Sequence, residues 1–435
     1  MSIYFAPAQR LRGRLQPPPD KSISHRAALL AAMHAEPVRI RNYLDAGDTN
    51  ATLEALGALG VLIQHRPDEL LVRGPGLREA AEAHGVIDVA NSGTLMRMLP
   101  GWLAAQEGRA YTVDGDESIR RRPIDRIAEP LRLMGAHVEA REGRFPPMTL
   151  RGARLKAIDY ELPVASAQVK SCVLLAALAA NGTTRVHEPL PSRDHTERLL
   201  RRAGAAVRRT GFTISVDNAD ELSLESIDIP GDISSAAFPI AAGVLVRGSR
   251  LLIEGVGVNR TRTGFIEILR RMGAIVEGDL EPPAGADDDA SAEEPVAELD
   301  IAYGPLIATE VAPEEVPLAI DELPLVALVG CFAEGDTIVR GAAELRLKEI
   351  DRIAGVVSGL RGLGAEIEEA EDGFVVHGDP AGLRGGVIDA RGDHRLAMLG
   401  AVAGLASREG VEVEGMEVAA VSYPGFVEDV ERLAA

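Results

Sequence analysis

The chain has 435 residues, 46% of them hydrophobic, and sets 46 Lys and Arg against 66 Asp and Glu, a formal charge of −20. That length can bury a large core and points to two to three domains. The acidic balance and the 3% aromatic content argue against nucleic acid as a partner, because its binders need a positive surface that releases counterions.

The first notable stretch is Pro17-Pro-Pro-Asp-Lys-Ser-Ile-Ser-His-Arg26. Prolines stiffen the approach, and Lys21, Ser22, Ser24 and Arg26 crowd the start of the apolar run Ala27–Met33. Such a serine-capped helix start, with outward N–H groups and the positive end of the dipole, is suited to an anion. Met1-Ser-Ile-Tyr-Phe5 has no signal pattern, and runs such as Cys172–Ala180 and Ala397–Ala406 are too short to span a bilayer, so a soluble cytoplasmic protein is expected. Cys172 and Cys331 lie in apolar runs and read as reduced core residues, with no metal site implied.

Five times the chain repeats Leu, two or three residues, Gly, then a β-forming run, with the glycines at Gly60, Gly135, Gly204, Gly273 and Gly364. Each is predicted to end a helix in the left-handed conformation and release a strand. The widest spacing contains Asp279–Asp300, acidic and free of Lys and Arg, which reads as an exposed insertion. With a final helix at Phe426–Leu433, the chain becomes six units of about 70 residues.

A second helix series runs half a unit out of phase. It opens at Lys21, at Asn91-Ser-Gly-Thr94, at Ser166-Ala-Gln-Val-Lys170, at Asp232, at Asp321-Glu-Leu-Pro324 and at Asp393-His-Arg395. Past the first turns these helices are apolar nearly all round, which predicts burial, with their N-termini at a common surface. Alternating segments such as Tyr111-Thr-Val113 and Leu251-Leu-Ile-Glu254 are predicted strands. Six β-α-β-α-β-like units divide into two domains of three: residues 17–229, and 1–16 with 230–435.

Basic residues gather near these openings: Arg97, Arg120-Arg-Arg122, Arg193, Lys348, Arg352 and Arg395. Guanidinium forks suit carboxylate and phosphate, whereas Arg201-Arg202 and Arg270-Arg271 read as solvated faces. Acid–base candidates are Asp321, Glu322 and Glu349. Lys348 and Arg352, four apart, are predicted to share a helix face beside Glu349, either tuning its pKa or forming a surface ion-pair lattice. His394 is either a proton shuttle or a capping group. No Gly-x-Ser-x-Gly elbow, His-Glu-x-x-His pair or Walker loop occurs. What remains is electrostatic gripping of a polyanionic small molecule, with proton transfers.

Lys21-Ser-Ile-Ser-His-Arg26, Asn91-Ser-Gly-Thr94 with Arg97, Arg122-Pro123, Ser166-Ala-Gln-Val-Lys-Ser171, Arg193-Asp-His-Thr196, Asp321-Glu322, Lys348-Glu-Ile-Asp-Arg352 and Asp393-His-Arg395 together resemble the 5-enolpyruvylshikimate-3-phosphate synthases over essentially the whole chain. The resemblance implies an α/β fold of two domains, an inside-out α/β barrel with three βαβαββ units of buried parallel helices in each. It implies transfer of the enolpyruvyl group of phosphoenolpyruvate to the 5-hydroxyl of shikimate 3-phosphate. It implies small anionic partners and a monomer, and it implies no cofactor, metal or membrane. Shikimate 3-phosphate would be held by Lys21, Ser22, Arg26, Ser166, Ala167, Gln168, Arg193, Asp321 and Lys348. Phosphoenolpyruvate would meet Lys21, Gly93, Arg122, Gln168, Arg352 and Arg395. Asp321, Glu349 and Lys21 would be catalytic.

Three positions depart from parts of that family: Pro19-Asp20 stands where many members have Gly-Ser, Met98 where one class has proline, and Val421 where that class has a lysine. The sibling enzymes that act on a UDP-aminosugar usually have Lys-Asn at Lys21-Ser22 and a reactive cysteine before the Arg-Pro pair, which Asp116–Pro123 lacks. A non-catalytic phosphate-compound binder would not need Asp321 or Glu349. The implied site is split between domains that close over the first substrate. Shikimate 3-phosphate should therefore lower the radius of gyration in small-angle X-ray scattering; an unchanged radius counts against closure.

Overall fold

The computed structural model describes residues 1–283 and 291–435. The chain divides into two compact units, an Asp321 unit of residues 1–18, 230–282 and 295–435 and a Lys21 unit of residues 19–229 and 283–294. Each has its own hydrophobic core and three sheets.

One repeat shows the plan. Strand Val86–Asp88 leads into helix Gly93–Leu103 and strand Ala110–Asp114, then helix Asp125–Met134 and strands His137–Arg141 and Phe145–Arg151. The first two strands pair in parallel, as a helical crossover permits, and the last two add an antiparallel hairpin, so the sheet order is first, second, fourth, third. The same order recurs at Asp159–Asp217 and at Glu310–Gly378. Strands such as Phe145–Arg151 alternate buried and exposed residues, so one face of the sheet meets solvent. Every residue of helix Ile233–Leu245 is buried. Helices apolar all round occupy the interior, and the sheets wrap them.

The first repeat of each unit takes a strand from the far end of the chain. Arg12–Leu15 precedes the Lys21 helix but pairs in parallel with Arg250–Gly257, and Ser226–Asp228 precedes helix Ile233–Leu245 but pairs in parallel with Val38–Arg41. The two crossing segments touch where the Asp232 N–H donates to the Pro18 carbonyl at 2.8 Å. The sixth sheet has three strands, Gly386–Asp389 and Val411–Glu414 in parallel with Ser2–Phe5 added antiparallel. Among the described residues no helix is long and apolar enough to cross a membrane.

Local chemistry explains the boundaries. Gly60, Gly135, Gly204, Gly273 and Gly364 all have positive φ, the left-handed helix end expected of them. Over four of these ends the arginine of the Leu-Arg pair reaches six residues ahead. Arg132, Arg201, Arg270 and Arg361 donate from Nε to the carbonyls of Val138, Val207, Val276 and Ile367 at 3.0, 3.1, 2.9 and 2.8 Å. Arg201 and Arg270 are therefore braces tying helix to strand, not merely solvated charges. The first buried helix, Lys21–Ala32, is capped by Asp20, which accepts from the Ile23 N–H at 2.8 Å, and not by serine. Ser22 and Ser24 fall inside the helix, two and four residues too late to cap it.

Two further expectations change. Lys348 and Glu349 do not share a helix with Arg352: Asp351 caps helix Arg352–Gly362 by accepting from the Ala354 N–H, so the helix cannot begin earlier. The insertion expected over 279–300 lies partly outside the described residues, and its end, Val296–Ala302, is a strand central to a four-stranded sheet. Glu294 is not exposed either. It pairs with His195 at 2.7 Å, because helix His195–Arg202 offers the acidic stretch cationic partners.

Gly101 marks where helices Gly93–Leu103 and Ala167–Ala177 press together: a Cβ there would lie 2.3 Å from the Cys172 carbonyl oxygen. Alanine gains about 1 kcal/mol in helix propensity, but backbone cannot yield cheaply, and overpacking costs about 1–3 kcal/mol. Gly101→Ala should lower the melting temperature. Gly57→Ala, in an exposed helical position with nothing within 4 Å of the added carbon, should raise it slightly. The opposite ranking in calorimetry would refute the close crossing.

Candidate active site

In the Lys21 unit three buried helix starts converge. Lys21 and Ser22 open helix Lys21–Ala32, and the Lys21 ammonium lies 3.0 Å from Asp48. Arg26, one turn on, is buried. Its Nε donates to Thr196 Oγ1 at 2.8 Å, Nη2 to Ser171 Oγ at 3.1 Å and Nη1 to the Ser22 carbonyl at 3.0 Å. Helix Ala167–Ala177 is capped by Ser166, and Gln168 in its first turn joins it to the Gly93 start: Oε1 accepts from Arg97 at 3.0 Å and Nε2 donates to Thr94 Oγ1 at 3.0 Å.

Gly93 is the first residue of its helix, after the cap Ser92. A Cβ on it would lie 2.8 Å from Arg122 Nη1 and 3.0 Å from Arg97 Nη1, so two guanidinium groups lie over its bare Cα. The three-arginine run splits. Arg120 is exposed and pairs with Asp114 at 2.7 Å, Arg121 is exposed and pairs with Glu117, and Arg122 alone turns inward and is buried. Arg193 is half-buried in the segment leading into helix His195–Arg202. His25 is fully buried against Thr52 Oγ1 at 2.7 Å. Burial, aided by the nearby Lys21 and Arg26 charges against the pull of Asp48, pushes its pKa down to about 4, so the ring beside Lys21 is neutral.

In the Asp321 unit the cluster is built around carboxylates. Asp321 Oδ1 lies 3.3 Å from Lys348 Nζ and 3.4 Å from Arg352 Nη1, and its Oδ2 lies 3.5 Å from Arg395 Nη2. Arg352 also holds Asp393 from Nε at 2.7 Å and Glu349 from Nη2. Burial works against the Arg352 charge, but Asp393, Glu349 and Asp321 outweigh it and hold its pKa above the ordinary value. With a side chain only 3% exposed, Arg352 is no part of a surface lattice. Arg395 Nη1 donates to the Asp321 carbonyl at 3.1 Å and stands 3.6 Å from Glu322, which accepts from Ser234 on the third helix start of the unit. His394 is buried beside the cap Asp393.

The expected residues thus form two groups: Lys21, Ser22, Arg26, Gly93, Arg122, Ser166, Ala167, Gln168 and Arg193 in one unit, and Asp321, Lys348, Glu349, Arg352 and Arg395 in the other. Sequence reasoning missed the partners that hold them. Asp48 sits in an ordinary Gly-Asp-Thr-Asn helix start and gave no signal. Asp393 was visible as a helix opening but not as the anchor of Arg352. Thr196, inside the Arg193 motif, is the hydroxyl that fixes Arg26. Lys170 did give a signal, as the one charge in a helix whose remaining residues are neutral. Among the described residues no three of His, Cys, Asp and Glu are grouped as a metal ion needs. Both cysteines are buried, and burial raises their thiol pKa values, that of Cys331 to about 12, which leaves no reactive thiolate of the UDP-aminosugar type.

The family model for EPSP synthase (3-phosphoshikimate 1-carboxyvinyltransferase) matches residues 5–430. Proteins named 3-phosphoshikimate 1-carboxyvinyltransferase from Bacillus licheniformis and Desulfitobacterium hafniense are 43% and 44% identical over 427 and 433 residues, covering 98% and 99% of this chain and 97% and 98% of theirs. The solved EPSP synthase of Acinetobacter baumannii superposes with a TM-score of 0.85 at 39% identity, over 99% of this chain and 98% of that one. An enolpyruvyl transferase from Streptomyces tendae shares the fold, with a TM-score of 0.76 at 20% identity over 100% of this chain and 97% of that one. A match of this identity, running almost from end to end, means that the chain belongs to the EPSP synthase family.

Proposed function

We propose that the chain transfers the enolpyruvyl group of phosphoenolpyruvate to the 5-hydroxyl of shikimate 3-phosphate and releases inorganic phosphate. The observation that carries this reading is the Asp321 carboxylate among Lys348, Arg352 and Arg395, a base set inside cations suited to anionic substrates. Shikimate 3-phosphate is assigned to Lys21, Ser22, Arg26, the Ser166–Gln168 turn, Arg193, Asp321 and Lys348. Phosphoenolpyruvate is assigned to Lys21, Gly93, Arg122, Gln168, Arg352 and Arg395.

In the first step the 5-hydroxyl oxygen attacks C2 of phosphoenolpyruvate, its proton passes to Asp321, and the C3 methylene takes a proton managed by Glu349 and Lys21. The product is a tetrahedral ketal phosphate whose charge the surrounding cations stabilise. Loss of a methyl proton and cleavage of the C–O bond to phosphate then restore the double bond. Three cations lie within 3.5 Å of the Asp321 carboxylate, and bound phosphate and carboxylate groups would compete with it for them.

Phosphate release from phosphoenolpyruvate tests the reading directly. Release is expected with shikimate 3-phosphate and not with UDP-N-acetylglucosamine, and Asp321→Asn should lower kcat by about 10²–10⁴-fold. Release with the UDP-sugar instead would point to the sibling activity, and release with neither would leave only a binding protein. A methyl at Gly93 must displace the Arg122 and Arg97 guanidinium ends, since helix backbone yields less readily. Gly93→Ala should raise KM for phosphoenolpyruvate about tenfold, equivalent to about 1.4 kcal/mol, with KM for shikimate 3-phosphate within about twofold. With no side chain at Gly93 to push those guanidinium groups aside, the unsubstituted protein is expected to be inhibited by glyphosate competitively with phosphoenolpyruvate; a millimolar inhibition constant would contradict this.

A further inference from the structure

Lys170 is wholly buried in the first turn of helix Ala167–Ala177, and the proposed reaction gives it no task. Its ammonium lies 3.0 Å from Glu188, 2.7 Å from Glu197 and 3.3 Å from the Ser192 carbonyl. The Ser192 hydroxyl in turn donates to Glu188, and Arg209 stands 3.7 Å from the other Glu188 oxygen. An ammonium and two carboxylates are thus sealed in the core of the Lys21 unit, with the partly exposed Arg209 at its edge. Burial opposes the charge of Lys170, but Glu188 and Glu197 outweigh it and keep it protonated, while burial raises the Glu188 pKa.

Stability alone does not call for such a group. Desolvating several charges is costly, and apolar residues of the same size serve a core as well or better. What an ammonium does that a methyl cannot is hold several acceptors at set directions and distances. Its three partners span 188–197, the segment that carries Arg193. The same helix supplies the Ser166, Ala167 and Gln168 turn and, through Ser171, supports Arg26 and Thr196.

We propose that Lys170 is a positioning residue for shikimate 3-phosphate: through Glu188, Glu197 and Ser192 it holds Arg193 at a set distance from the Ser166–Gln168 turn. This rests on the assignment of Arg193 to that substrate. Lys170 touches no substrate itself and acts through the segment it anchors.

Steady-state kinetics of the full chain with Lys170→Met, Arg193→Ala and the double variant test the inference. Lys170→Met should raise KM for shikimate 3-phosphate about tenfold, with KM for phosphoenolpyruvate within about twofold. If Lys170 works through Arg193, the double variant should bind no worse than Arg193→Ala alone, whereas independent effects would multiply. Val173→Ala, which opens a cavity in the same helix, should lower the melting temperature without moving KM for shikimate 3-phosphate. Multiplying effects overturn the inference, as does an equal KM rise in Val173→Ala. If Lys170→Met does not fold, Glu188→Gln keeps the volume and removes one partner charge; it should show the same selective rise, and an unchanged KM refutes the proposal. Arg193→Ala with unchanged KM would overturn the assignment of Arg193 to this substrate, and the inference with it.

Discussion

A helix that is apolar on every side can be stable only inside a protein, and it can then meet the surface only at its ends. Six such helices organise this chain, and polar chemistry is confined to their first turns and to the segments beside them. Asp20, Ser92, Ser166, Asp232 and Asp393 cap five of the starts with side-chain oxygens that accept backbone N–H groups. An aspartate cap already places an anion at the positive end of its helix. At those three starts the positive end already has its anion, so a further anion there would need side-chain cations.

The cations are held in two ways, and the difference follows the chemistry. In the Lys21 unit Arg26 is seated on Ser171, Thr196 and the Ser22 carbonyl, neutral oxygens that orient the guanidinium. In the Asp321 unit Arg352 is gripped by three carboxylates. Two of those, Asp321 and Glu349, are the groups assigned to proton transfer, so Arg352 ties the proposed proton-transfer groups to one buried cation. The third, Asp393, caps a buried helix and is itself fully buried, which makes it an anchor.

Much of this was legible because it is local. A left-handed glycine after a leucine turn, an apolar run behind a capping residue, and an alternating strand are properties of adjacent residues, and repetition made them unmistakable. Where neighbouring signals competed, sequence reading erred by a residue or a turn. Serine was favoured over Asp20 as cap, and Lys348 was placed on a helix that Asp351 does not allow to start until Arg352. The paired arginines at 201 and 270 looked like solvated charge, because a brace to a carbonyl six residues ahead exists only once the glycine has turned the chain back on itself.

The sequence by itself determined the number of repeats, the buried helices, the cation-rich openings and, through its motifs, the family. All of these depend on periodicity and residue type. Only the tertiary structure decided which charges are paired. Lys21 meets Asp48 across 27 positions, Arg26 meets Thr196 across 170, and Arg352 meets Asp393 across 41. The strands Arg12–Leu15 and Ser226–Asp228 lie in the sheets of distant repeats for the same reason. Contacts at such separations follow from how sheets and helices pack, and no spacing along the chain encodes them.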